Sequence, residues 1–316
     1  MTESNFPTGS SGLFAVDKVG NQVHFLNPVT YETELTLDGF APRVHELAIS
    51  PDHRFAYVPM YGDGIHGANP HPGHLIAQFD LQERRHAGDF STYPYLAPHS
   101  LRWGPLGQLY CVCENSGVVL EMDADSGAIE HVIEVESNKA HRSEVLPDGS
   151  KLYTENEEDT FGSVVDLDTR QVIKKIPTPN GAAGLGMSPD GQTIVFVDAQ
   201  EPQVLVADTA SDEVHTTIKL NGHQKAAQIA RYSPDGRHLV VTSLEAPLAT
   251  VFTGDLDSQT LLHLGQGPMD MAFHEDGETA IIANQNDGSL AVCNLERGEV
   301  ERTVQAGIGI ETLSFY

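Results

Sequence analysis

Two stretches decide the fold: AGLGMSPDGQTIVFV (183–197) and, six residues on, QVLVADTASDEVHTTI (203–218). An apolar run meets a Ser-Pro-Asp-Gly turn, and a second run rich in β-branched residues follows it. The next stretch folds back on itself at Asp-Thr and Ser-Asp. Pro presets the turn's φ, Gly supplies its left-handed corner, and the flanking runs read as strands, so these residues predict four consecutive antiparallel strands.

The same phrase recurs along the chain. It appears as HELAISPDHRFAYV (45–58), HSLRWGPLGQLYCV (99–112), HRSEVLPDGSKLYT (141–154), QIARYSPDGRHLVV (228–241) and MDMAFHEDGETAII (269–282). The turn positions Asp52, Leu106, Asp148, Asp190, Asp235 and Asp276 are spaced 54, 42, 42, 45 and 41 residues apart. Periods near 40–45 with four strands each are those of propeller blades. The N-terminal part begins with three outer strands (LFAVDKVG, NQVHFLNP, TELTL) and no inner one, while GIETLSFY (309–316) is an inner strand with no successors. The fold expected is therefore all-β: a seven-bladed β-propeller whose first blade joins 309–316 to 12–40. The other blades fall at 43–93, 97–137, 139–178, 181–220, 224–265 and 267–306, and residues 1–316 are expected to form a single domain.

Phrases such as SPDHRFAYVPMYG and GETAIIANQNDGSLAVCNLERGE make the chain resemble the YVTN-type, lactonase-like seven-bladed propellers. The resemblance implies lactone hydrolysis as one activity. It carries more about fold than about chemistry, because many functions are grafted on this architecture. The WD-type propellers fit less well: the only Trp, Trp103, lies in an inner strand.

The 316 residues carry 45 Asp+Glu against 18 Lys+Arg, a formal net charge of −27. Such a field repels phosphate backbones and anionic headgroups, which argues against nucleic-acid and membrane partners. Residues 1–14 show neither a basic nor an apolar leader region, and no apolar run is long enough to span a bilayer, so a cytoplasmic location is expected. Seven Lys against eleven Arg with so many acids also suits a salt-adapted host. Cys111, Cys113 and Cys293 are too few for a disulfide framework and read as small core residues.

Aligning the inner strands on their turns exposes one column, seven residues before the turn. In ring order it reads Glu311, His45, His99, His141, Ala183, Gln228 and Met269. With 15 His in 316 residues, three in succession has a chance of about one in ten thousand. The column lies where inner strands surround the central channel, so three imidazoles and a carboxylate should meet at one mouth. That donor set suits a divalent transition metal, Mn²⁺, Fe²⁺, Zn²⁺ or Ni²⁺. The alternative is a set of channel residues hydrogen-bonded to one another and to water.

The long spacing of 54 comes from an insertion, YGDGIHGANPHPGHL (61–75), expected on the same face. Tyr61, His66 and His71 are candidates for a lid or for substrate contact, and His74 for the start of the next strand. Glu155 and Glu114 end strands beside His141 and His99 and are candidate general bases. Positive charge is scarce there. Arg142 is the first candidate to meet a substrate carboxylate, with Arg43 and Lys225 nearby, whereas Arg102, Glu144 and Arg231 read as an ion-pair set inside the channel. No GxSxG elbow, P-loop, GxGxxG or HExxH occurs.

These residues point to a metal-dependent hydrolase, lyase or isomerase acting on a small, oxygenated, anionic molecule. Two alternatives stand beside it. One is a non-haem iron oxygenase, since histidines at a propeller axis resemble the carotenoid-cleaving oxygenases. The other is a non-enzymatic propeller that binds a ligand or protein on one face.

Overall fold

In the computed structural model, which describes residues 11–316, seven four-stranded antiparallel sheets form seven propeller blades. Blade 1 has the strand order expected: Ile310–Phe315 is innermost and pairs with Leu13–Asp17, followed by Gln22–Leu26 and Thr33–Leu37. The two chain ends are stitched together by Leu13 opposite Phe315, and by Tyr316 N–H donating to the Gly12 carbonyl at 3.1 Å. The reading of residues 1–14 as lacking a leader falls mostly outside the described residues. Among the described residues no helix is long and apolar enough to cross a membrane.

Strand alternation sends successive side chains to opposite faces of a blade, so each blade presents one apolar set to each neighbour. The result is an apolar cluster at every one of the seven blade junctions. Phe14, Phe25 and Phe79 join blade 1 to blade 2, for example, and Leu13, Ile281 and Ile310 join blade 7 to blade 1. The three cysteines are buried free thiols within two of these clusters. Outermost strands mix exposed and half-buried residues, as in Glu213–Lys219 and Glu299–Gln305.

Blade 2 departs from the pattern. Its innermost strand shrinks to Ala48–Ile49, with His45 just before it, tied by its N–H to the Pro59 carbonyl at 3.1 Å. Pro59 has no N–H to return, which breaks the ladder at that point. The insertion is also shorter than its sequence suggests. Tyr61 and Gly62 still belong to strand Phe55–Gly62, while His74 lies in Pro72–Asp80, so the irregular loop is 63–71.

Candidate metal centre at the channel mouth

Each column residue stands at the start of an inner strand. His99 is in Pro98–Trp103, His141 immediately precedes Arg142–Val145, and Glu311 is in Ile310–Phe315. All four column side chains are buried, His99 completely. Their rings form an arc: His45 to His99 and His99 to His141 each measure 4.2 Å between centroids, and His66 from the insertion stacks on His141 at 4.1 Å.

The arc has a common backing. His45 Nδ1 lies 3.1 Å from Glu311, His66 Nδ1 3.0 Å from Glu114, His99 Nδ1 3.6 Å from Glu46, and His141 Nδ1 2.7 Å from Glu155. Where that partner is ionised, as Glu114 at His66 and Glu311 at His45 are, it selects the tautomer that leaves Nε2 as a lone-pair donor, which is how metal-ligating histidines are ordinarily oriented. Hydrogen-bond geometry, however, is met only at His66. Both ring nitrogens of His99 and both oxygens of Glu155 lack any hydrogen-bond partner, although both residues have no exposed surface. Buried polar atoms left in this way are costly and mark a position where a partner is wanted.

Electrostatics sort these groups by charge. Burial, reinforced by neighbouring positive charge, pushes the proton affinity of His99 and His141 far down, so both are neutral imidazoles. Burial likewise lowers His45 against the opposing pull of Glu311. It raises Glu155 well above the carboxylate range despite Arg142, which makes the His141–Glu155 contact one between two neutral groups. At Glu311 burial is outweighed by His45 and Lys18, which hold that carboxyl well below its usual range. At His66, burial is outweighed by Glu114, Glu157 and Glu158, so its proton affinity rises.

The residues brought closest together differ from the expected column. Among the described residues, His66, His141 and Glu157 are the group whose candidate ligand atoms all lie within 4.8 Å of one another. Only His141 is shared with the column. His45 and Glu311 sit further round the arc, where the Lys18 ammonium fills the corner, 3.0 Å from His45 Nε2 and 3.2 Å from Glu311. Lys18 and Glu157 are polar residues of this face in the structure. Nothing in the repeat alignment ranked them, because neither lies in the column.

The other candidates are placed as follows. Tyr61 is fully buried beneath the insertion and donates its hydroxyl to Glu114 at 2.8 Å; burial and Glu114 raise its proton affinity, so it stays a phenol. His71 is exposed and His74 packs edge-on against Tyr93. Arg142 is only 3% exposed, bonded to Glu46 and at 2.8 Å to the Ala183 carbonyl, so its guanidinium is engaged inside the channel instead of open at the mouth. Arg43 is paired with Asp63 and Lys225 with Glu245. Arg102, Glu144 and Arg231 form the channel ion-pair set, at 2.9 and 3.0 Å, extended by Asp270. The open rim is acidic: Glu157 and Glu158 are 27% and 35% exposed, against 19% for Lys18.

No protein-family model and no curated protein matches the chain. Among solved structures it is similar to "Kuenenia stuttgartiensis Hydrazine Synthase", at 17% identity and a TM-score of 0.72, covering 88% of this chain and 91% of that one. At that identity the likeness is one of fold.

Proposed function

We propose that the protein is a metal-dependent enzyme, a hydrolase, lyase or isomerase of a small oxygenated molecule, with one divalent transition ion held at the channel mouth by His66, His141 and Glu157. The observation that carries this reading is the triad itself: two imidazoles and a carboxylate within 4.8 Å, in a wall of neutral buried histidines. Two nitrogens and one oxygen leave coordination positions open, the arrangement of catalytic and not of structural sites. An ion there would polarise a carbonyl or lower the proton affinity of a bound water.

The chain's own groups take the remaining roles. Glu158, 2.9 Å from His66 Nε2 and about one-third exposed, is placed to move protons at the rim. Lys18 is the cation that an anionic group entering the mouth would meet, the part first assigned to Arg142. Lactone hydrolysis, which the resemblance implies, fits this site as well as proton-transfer chemistry does. The arc of four histidines supports a second reading, a non-haem iron oxygenase, which requires Fe²⁺ and consumes O₂.

The test is metal analysis of protein purified without chelator, followed by reconstitution with Mn²⁺, Fe²⁺, Zn²⁺ and Ni²⁺ and assay on lactones and hydroxy acids. About one ion per chain in the wild type and none in His141→Ala is expected. A wild type that retains no ion after loading would sink the enzyme reading and favour a ligand-binding propeller.

A further inference from the structure

We infer that Glu114 is a positioning residue: it holds the insertion's His66 as a preformed ligand arm over the mouth. The inference rests on the metal-centre reading above. Two of the three proposed ligands belong to blade 4, His141 before its inner strand and Glu157 just after Lys151–Glu155. The third, His66, arrives from blade 2 and must cross blade 3 to reach them. A nine-residue loop (63–71) rich in Gly, Pro and Asn has no internal reason to hold one imidazole at one place and orientation.

Glu114 supplies that reason. It starts the short turn Glu114–Ser116 in blade 3, directly under the loop, and has no exposed surface. Its carboxylate accepts three hydrogen bonds: from Tyr61 Oη at 2.8 Å, from the Gly67 N–H at 3.0 Å and from His66 Nδ1 at 3.0 Å. The Tyr61 bond anchors the carboxylate to strand Phe55–Gly62, and the Gly67 bond fixes the loop backbone beside His66. The His66 bond places the ring proton on Nδ1 and turns Nε2 toward blade 4, where Glu158 lies 2.9 Å and Glu157 3.7 Å away. Two further features seat the tip. Lys139 Nζ donates to the Gly67 carbonyl, and Gly67 has φ +74°, a left-handed conformation that favours glycine. Two of the three hydrogen bonds of the Glu114 carboxylate thus go to one imidazole and the backbone next to it, and the third anchors the carboxylate beneath them. A carboxylate on the far nitrogen of a ligating histidine typically changes metal affinity 10–100-fold.

The test uses the full chain and Co²⁺ alone as the optical probe. Glu114→Gln is expected to weaken Co²⁺ binding about 10–100-fold. His66→Ala should weaken it at least as much, and the double variant no more than His66→Ala, because Glu114 acts only through His66. Multiplying losses, or wild-type affinity in Glu114→Gln, would overturn the inference while leaving the metal centre standing. Ring-nitrogen NMR of the wild type with Zn²⁺ gives a readout independent of any variant's folding. It should show His66 protonated at Nδ1 with Nε2 on the metal, and the opposite tautomer also overturns the inference. A wild type that binds neither Co²⁺ nor Zn²⁺ removes the functional reading and this inference together.

Discussion

At the scale of single residues, His141 is the point where two descriptions of the mouth separate. The column counts His45, His99, His141 and Glu311 as equivalent, whereas the geometry ties His141 to His66 and Glu157 and gives His45 and Glu311 to Lys18. His141→Ala and Glu157→Gln are therefore expected to abolish stoichiometric metal, and His45→Ala to retain most of it, as read by metal analysis after dialysis. Equal loss in all three would restore the column as the ligand set. The same histidines set the acid side of the stability profile. His99, His141, His45, His223 and His274 all have proton affinities lowered by burial. A group depressed in the fold contributes stability above its unfolded value, lost as pH falls below that value toward the folded one. With ordinary imidazoles near 6.5, the loss begins there and grows as the pH falls toward 5. His66 and Glu155, whose affinities are raised, act in the opposite direction but are outnumbered. Urea midpoints of the metal-free protein should fall steadily from pH 7.5 to 5, and a flat profile would contradict neutral burial.

At the scale of elements, the insertion is the proposed bearer of a metal ligand, and the hairpin beneath it is paired up to Gly62 opposite Pro72. Strands Phe55–Gly62 and Pro72–Asp80 remain paired from Phe55 opposite Asp80 to Gly62 opposite Pro72, so blade 2 does not need loop 63–71 to form its hairpin. Replacing 63–71 by Asn-Gly, a two-residue turn matched to the strand twist, is expected to leave the metal-free melting temperature within a few degrees and to abolish metal binding. Calorimetry with and without added Zn²⁺ checks both halves, since a ligand bound only by the fold raises its melting temperature. Collapse of the fold would instead make the loop a structural brace. This division also explains what sequence could and could not reveal. Turn chemistry and strand alternation recur in every blade, so seven sheets and the two-ended closure of blade 1 were readable by superposing repeats. The column histidines were readable in the same way. His66 occurs once, in a segment with no counterpart in other blades, and its position depends on contacts with Glu114 and Glu158, 48 and 92 residues away. The pairing of Arg142 was not legible, because the column gives a residue's height in the channel but not its partner, and Glu46 lies 96 residues before it.

At the scale of the whole molecule, the net charge of −27 acts on a ring whose blades meet through apolar seams, hydrogen bonds and ion pairs. Seven clusters of similar make-up close the circle, so a load spread over the entire surface weakens every seam together. Many of the carboxylates lie on outer strands and turns, where they repel one another through solvent, and this mutual repulsion destabilises the compact state. Salt removes that load selectively. Raising ionic strength from about 0.01 M to 1 M shortens the screening length from about 30 Å to about 3 Å, which silences exposed like-charge repulsion and scarcely touches buried pairs such as Arg142 with Glu46. The melting temperature of the metal-free protein is therefore expected to rise by several degrees over that range. Most of the rise should come at low to moderate NaCl, because screening saturates there, and KCl should behave alike. A preferential-exclusion effect would instead grow steadily to molar salt and follow anion type, with sulfate far ahead of chloride. A melting temperature that falls on adding NaCl would mean that surface ion pairs outweigh the surplus of negative charge. The acidity would then be a balanced network and not a load borne by the ring.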